Sequence, residues 1–368
     1  MQKIKLLFKI GYAYHKAAFD PIIDLLLNNP KYDVRFSLDM EKVKYFGIEF
    51  PYRHAIIDQW KKLGYRFTKE TSGFDIVIAG DTLRNAEAYG KTLLIFLNHG
   101  TGIKNILYRN LAKAKGHKYQ IFVEGEHRVS SLQNSPHLGQ SEVHLIGLPK
   151  LDYYFTHKYQ RVEVLAKLGL NPNKQTVLFA PTYKPTCIYA IKDDIFTQTT
   201  AYNLIIKLHP YSWMGKYAPH KQHRIFERRV KRYNHAVLLP FSEFSILPYY
   251  VASDVIISEA SSTVFDYIAF NKFGIVYDLG CDKLKHSDGQ PLLEIDNREF
   301  LAGAFPHIQS GKQLPEAIQQ ALNPTSQMIA KANEYRSSFF YGLDGKASQR
   351  FVAKMEQLYQ EGGHENGA

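Results

Sequence analysis

Short, nearly unbroken apolar runs recur along the chain, and a stretch with helical spacing follows most of them. Phe74-Asp-Ile-Val-Ile-Ala79 and Leu93-Leu-Ile-Phe-Leu97 are nearly continuously apolar, not alternating. That pattern belongs to parallel strands covered on both faces. Strands are predicted at 3–10, 32–38, 74–80, 92–97, 118–123 and 142–147, and again at 176–180, 203–208, 236–240, 254–258 and 273–278. Helices are predicted over 153–168, over Lys221 to Arg232, and at 314–322, 326–337 and 346–359. Strands alternating with helices make βα units, and the fold class that follows is α/β, with two Rossmann-like doubly wound sheets in tandem. The punctuation around Gly147-Leu-Pro-Lys-Leu-Asp152 and Gly169-Leu-Asn-Pro172 divides the chain into 1–155 and 156–325, with further helices at 326–360.

Open parallel sheets collect ligands beyond the carboxyl ends of their strands. The residues expected there are Gly11-Tyr-Ala-Tyr-His-Lys16, Gly80-Asp81, Asn98-His-Gly-Thr-Gly102, Glu124-Gly-Glu-His127, Pro181-Thr-Tyr183, His209-Pro210 and Ser258-Glu-Ala-Ser-Ser-Thr263. Polar, glycine- and histidine-bearing turns thus crowd the same edge of both sheets, as a cleft shared by two domains requires. His99, before a glycine-rich turn, is placed either to brace that turn or to take a proton from a hydroxyl. Lys207 and His209 lie two apart on extended chain and share a face, where His209 either packs or donates to a phosphate oxygen. Ser261, Ser262 and Thr263 open a helix, and a run of three hydroxyls suits a phosphate where simple capping needs one. Thr182, Tyr183 and Lys184 are candidates for contact with a nucleotide. Sequence signatures of P-loop, nucleophile-elbow and zinc-protease chemistry are missing, as is a DxD triplet, so no tightly bound metal or other cofactor is expected.

Composition narrows the field. The chain has 368 residues, 45% of them hydrophobic, which suits two folded domains and leaves only the last few residues as a loose tail. A formal charge of +11 makes polyanions attractive partners. No nucleic-acid motif accompanies it, and the densest basic stretch, Lys221 to Arg232, reads as a solvated helix face or one that meets an anionic membrane. Two cysteines in no ligand spacing fit a reducing compartment. The N-terminal apolar run is interrupted by Lys9 and reads as a strand, not a leader; a cytoplasmic protein, peripheral on a membrane at most, is expected.

In order and spacing, several of these turns resemble the CDP-glycerol glycerophosphotransferase family of teichoic-acid and capsule synthesis. They are Asn98-His-Gly-Thr101 with Lys104, Gly147 to Asp152, Val177 to Tyr183, Lys207-Leu-His-Pro210, Ser253 to Ser262 with Phe265-Asp266, and Gly342-Leu-Asp-Gly-Lys-Ala-Ser348 with Arg350. The resemblance implies a GT-B fold, with an acceptor-side first domain, a donor-binding second domain and a C-terminal helix crossing back. It implies His99 as the base and His209 with Ser261 and Ser262 as ligands of the donor pyrophosphate. Lys104, Thr182, Lys184, Lys207, Ser258, Glu259 and Thr263 complete the donor side, and His15, Glu124 and His127 stand on the acceptor side. The partners implied are a CDP-activated polyol and a lipid-linked or polymeric acceptor. Glu259-Ala260 stands where the family usually has aspartate and tyrosine, and Lys184 where an arginine often follows. A nucleotide-sugar transferase, a nucleotide-sugar 2-epimerase and a non-catalytic binding module are the alternatives in this architecture.

Overall fold

The computed structural model describes residues 2–39, 44–45, 48–49, 52–83, 86–101, 106–114, 117–213, 221–279, 285, 289–291 and 299–362. The chain forms two compact units. The first comprises Met1–His99, Ile106–Thr156 and Phe339–Ala368; the second comprises Gly100–Asn105 and His157–Ser338.

The first unit is built on strands β1 (Ile4–Ile10), β2 (Tyr32–Leu38), β5 (Ile76–Ala79), β6 (Leu93–Leu97), β7 (Gln120–Val123) and β8 (Glu142–Leu145), with β3 (Lys44–Tyr45) and β4 (Ile48–Glu49) forming a small separate ribbon. All six main strands are parallel, in the order β2-β1-β5-β6-β7-β8. Leu7, Val77, Phe96 and Ile121 are buried in one cluster. The second unit carries β9 (Thr176–Phe179), β10 (Asn203–Ile206), β11 (Ala236–Leu238), β12 (Val255–Ser258), β13 (Phe273–Tyr277) and β14 (His307–Ile308). Its order is β11-β10-β9-β12-β13-β14, again all parallel. Every residue of β5, β7, β9, β10 and β12 is buried. This is why the sequence shows apolar runs instead of alternation. Strand order reverses between β1 and β5 in the first sheet and between β9 and β12 in the second, the positions where such sheets bind ligands.

Two predicted helices differ. The stretch 153–168 is not one helix: Asp152–Phe155 and Arg161–Lys167 are separated at His157, whose φ of 54° the right-handed helix cannot accommodate. The basic helix is confined to His223–Val230, since Lys221 also has positive φ. Its Arg229 pairs with the exposed Asp193 at 2.6 Å. The reading missed β14 and the β3–β4 ribbon, two-residue strands too short to show a period. The chain rejoins the first unit at Phe339, the last residue of the helix Ser326–Phe339, where the pattern suggests 326.

Candidate active site

In the first unit the edge of interest is made by the turns after β1, β5, β6 and β7. Residues Asn98 and His99 leave β6 together. The Asn98 amide donates to Glu124 Oε2 at 2.6 Å, and Glu124, 1% exposed at the end of β7, also accepts from Arg128 Nε at 3.4 Å. Arg128 donates in turn to the Tyr108 hydroxyl at 2.7 Å. This buried chain pins the backbone that presents His99. The His99 Nδ1 lies 3.1 Å from the Gly80 carbonyl oxygen. A carbonyl only accepts, so Nδ1 carries the proton and the basic lone pair is on Nε2. His15 packs on His99 with ring centroids 4.3 Å apart. Burial first, and His99 second, hold the His15 imidazole well below its ordinary pKa. His127 stacks on Phe339, ring centroids 4.1 Å apart, one turn of chain beyond Glu124. Lys104 lies outside the described residues.

In the second unit the reversal point gathers most of the donor-side candidates. Ser258 Oγ donates to the Ala180 carbonyl at 2.7 Å; Ser261 Oγ is 3.0 Å from Ser258 Oγ, and Thr263 Oγ1 is 2.7 Å from Ser261 Oγ. Since Ser258 spends its only proton on Ala180, the chain runs inward from Thr263 through Ser261. Ser262, half-buried at the first helical position, takes no part in it. Glu259 is 1% exposed and accepts from Thr182 N at 2.7 Å, Thr186 Oγ1 at 3.0 Å and Cys187 N at 2.6 Å. It therefore shapes the turn that carries Thr182 and the exposed Lys184. His209 caps the turn Pro210–Ser212, its Nδ1 accepting from Tyr211 N at 3.1 Å, which puts the ring proton on Nε2. Its ring rests on Tyr183, centroids 4.6 Å apart. Lys207 is turned elsewhere, donating to the Glu243 carbonyl, and burial draws its ammonium down to about 8. Thr101 Oγ1 donates to the buried Asp266 at 2.5 Å. Among the described residues no group of three or more His, Cys, Asp or Glu could hold a metal ion, and no helix is long and apolar enough to cross a membrane.

Residues 78–357 match the family described as CDP-glycerol:poly(glycerophosphate) glycerophosphotransferase. The chain belongs to this family. A teichoic acid glycerol-phosphate transferase of Staphylococcus aureus (strain NCTC 8325 / PS 47) is 22% identical over 267 residues, covering 68% of this chain; the match spans 63% of that relative's length. Among solved structures, the wall teichoic acid polymerase TagF superposes with a TM-score of 0.66 at 14% identity, over 97% of this chain and 89% of that one. A UDP-N-acetylglucosamine 2-epimerase described as putative, from Listeria monocytogenes, gives 0.55 at 12% identity, covering 98% of both chains. These likenesses place the chain in the GT-B-like class of folds. The glycerophosphotransferase match includes His99, His209 and Ser261, whereas His15 lies ahead of it.

Two of the stretches that carry the family likeness prove to be a clasp within the first unit. Asp152 accepts from Ala347 N at 3.1 Å, Ser348 N at 2.7 Å and Ser348 Oγ at 2.5 Å, closing the start of the helix Ala347–Glu361. Arg350 donates to the Ile146 and Gly342 carbonyls and to Asp344. Gly147 has φ of 91°, and a Cβ there would lie 2.5 Å from the Tyr341 carbonyl oxygen, so only glycine fits. Arg128 gives no signal in the sequence: it lies on the helix Glu126–Gln133, whereas Glu124 precedes that helix, and only the fold brings the two together.

Proposed function

We propose that the chain transfers glycerol phosphate, or a related polyol phosphate, from a CDP-activated donor to a hydroxyl of a lipid-linked or polymeric acceptor in teichoic-acid or capsule synthesis. One observation carries the reading: the His99 Nδ1–H donates to the Gly80 carbonyl, which puts the basic lone pair on Nε2, at a strand end of the kind where open parallel sheets collect ligands. A TagF variant soaked with CDPG superposes with a TM-score of 0.67, which supports the choice of donor. In the reaction the acceptor hydroxyl oxygen attacks the phosphorus bearing glycerol while its proton passes to His99 Nε2. The bond from that phosphorus to the bridging oxygen breaks, and CMP leaves with the electron pair. His209, with its proton on Nε2, donates to the pyrophosphate, and Ser262 and Lys184 neutralise charge that builds on the leaving phosphate. The exposed Arg224, Arg228, Lys231 and Arg232 suit a protein working on the cytoplasmic face of an anionic membrane.

The test is CMP release from CDP-glycerol, with and without a glycerol-phosphate acceptor. Acceptor-dependent release that falls by ~10²–10⁴-fold in His99→Ala is the expected result. Undiminished release in that variant would remove His99 from the chemistry. Turnover of UDP-sugars in place of CDP-glycerol would shift the assignment to a nucleotide-sugar enzyme, the second reading that the epimerase likeness favours.

A further inference from the structure

The imidazole of His15 is 2% exposed and is enclosed by groups that leave it little freedom. Tyr12 meets it edge-on at 5.2 Å between centroids, and Phe19 lies at 6.1 Å. Gly80 faces it so closely that a Cβ there would sit 2.7 Å from His15 Nδ1 and 2.9 Å from Phe19 Cζ. Lys16, next along the helix, is turned to Asp20 at 2.6 Å and over the Tyr65 and Trp60 rings. The ring of His15 that results from this packing lies 4.3 Å from His99 at a tilt of 36°. Residue 80 thus does two things at once: its carbonyl accepts the hydrogen bond from His99 Nδ1–H, and its missing side chain admits His15 against the His99 face.

We propose that His15 is a positioning residue for His99, an uncharged aromatic wall that holds the base in the orientation and tautomer in which Nε2 is the acceptor. The inference rests on the reading of His99 as the base, but the geometry it claims exists without turnover. Two adjacent imidazoles share at most one positive charge at working pH, and the enclosed ring is the one that stays neutral. The proton taken from the acceptor therefore resides on His99, against the neutral ring of His15. The wall must be flat and apolar on its inner side; it need not titrate.

The experiment uses the full chain and three variants, His15→Ala, His15→Leu and His15→Phe, with two readouts. One is steady-state kinetics with CDP-glycerol and a glycerol-phosphate acceptor. The other is the two-bond ¹H–¹⁵N spectrum of the histidine side chains, with His99 assigned by its loss in His99→Ala. His15→Ala is expected to lower kcat by roughly 10–100-fold at unchanged donor KM, and His15→Phe to restore it to within about threefold of the parent. In the spectra, His99 is expected as the Nδ1–H tautomer in the parent and in His15→Phe, and as a mixture in His15→Ala. Full kcat and a single tautomer in His15→Ala would overturn the proposal. So would restoration by Leu as complete as by Phe, since residue 15 would then be filler. Full activity in His99→Ala would end the reading of the base, while the spectra would still decide what His15 does to His99.

Discussion

A carboxylate taken out of water must find donors, and Glu259 finds three within one turn of chain. Its removal would leave the Thr182 and Cys187 amides without their acceptor in a dry environment, each costing about 1–3 kcal/mol. Glu259→Ala is therefore expected to destabilise the second unit by roughly 2–4 kcal/mol in urea denaturation, and Glu259→Gln by less, since one amide oxygen still accepts. A change within about 0.5 kcal/mol, the scale of an ordinary surface substitution, would show that the turn holds without it. What the sequence displayed at this scale was the presence of His99, His209 and the hydroxyl run at strand ends, because residue type and strand end are both local facts. It did not display that Glu259 holds the Thr182 turn, or that Gly80 and His15 close on His99. Those partners lie 77, 19 and many more residues apart in sequence, and only folding brings them together.

At the scale of elements, strands buried on both faces left an apolar signature that read within a few residues of the observed bounds. Helix breaks did not, because the left-handed residues His157 and Lys221 are not glycines and give no warning. Lys272 shows how an element end can carry a pH response. Its ammonium donates to the Tyr250, Val251 and Ser253 carbonyls at 2.8, 3.2 and 2.6 Å, closing the end of the helix Leu247–Ala252. Burial lowers its pKa from 10.5 to about 8, against the weaker opposing pull of Asp254. Between about pH 8 and 10.5 the unfolded chain then binds the proton that the folded chain has released, so this group adds stability as pH rises. The slope attributable to it approaches about 1.4 kcal/mol per pH unit. Denaturation of the parent and of Lys272→Met across that window should show the parent curve rising relative to the variant. Parallel curves would mean that the lysine keeps its ordinary pKa in the folded state.

At the scale of the molecule, the sequence disclosed two α/β sheets in tandem, and the family likeness a returning C-terminal helix, but not the residues that receive it. The return is decided by Asp152, Phe122 and Tyr32, which receive Ser348, Phe351 and Glu356 from the far end of the chain. The second unit is contiguous from His157 to Ser338 apart from a six-residue piece, whereas the first is assembled from distant segments. A fragment spanning 157–338 is thus expected to unfold cooperatively when expressed alone. A fragment of residues 1–156 should do so only when residues 339–362 are supplied, fused or in trans. Cooperative unfolding of 1–156 by itself, seen by circular dichroism, would show the returning helix to be an ornament.

The clasp at Asp152 also sets a timetable for biosynthesis. A ribosome releases residues 1–156 and must then make the whole second unit before Ser348 and Phe351 emerge, an interval of roughly ten to forty seconds at ordinary elongation rates. For that time the nascent first sheet shows an uncovered aromatic face at Phe122 and a carboxylate with no helix to close. The half of the protein that is made first is the half that finishes last, and this interval is when it is most open to chaperones and to aggregation.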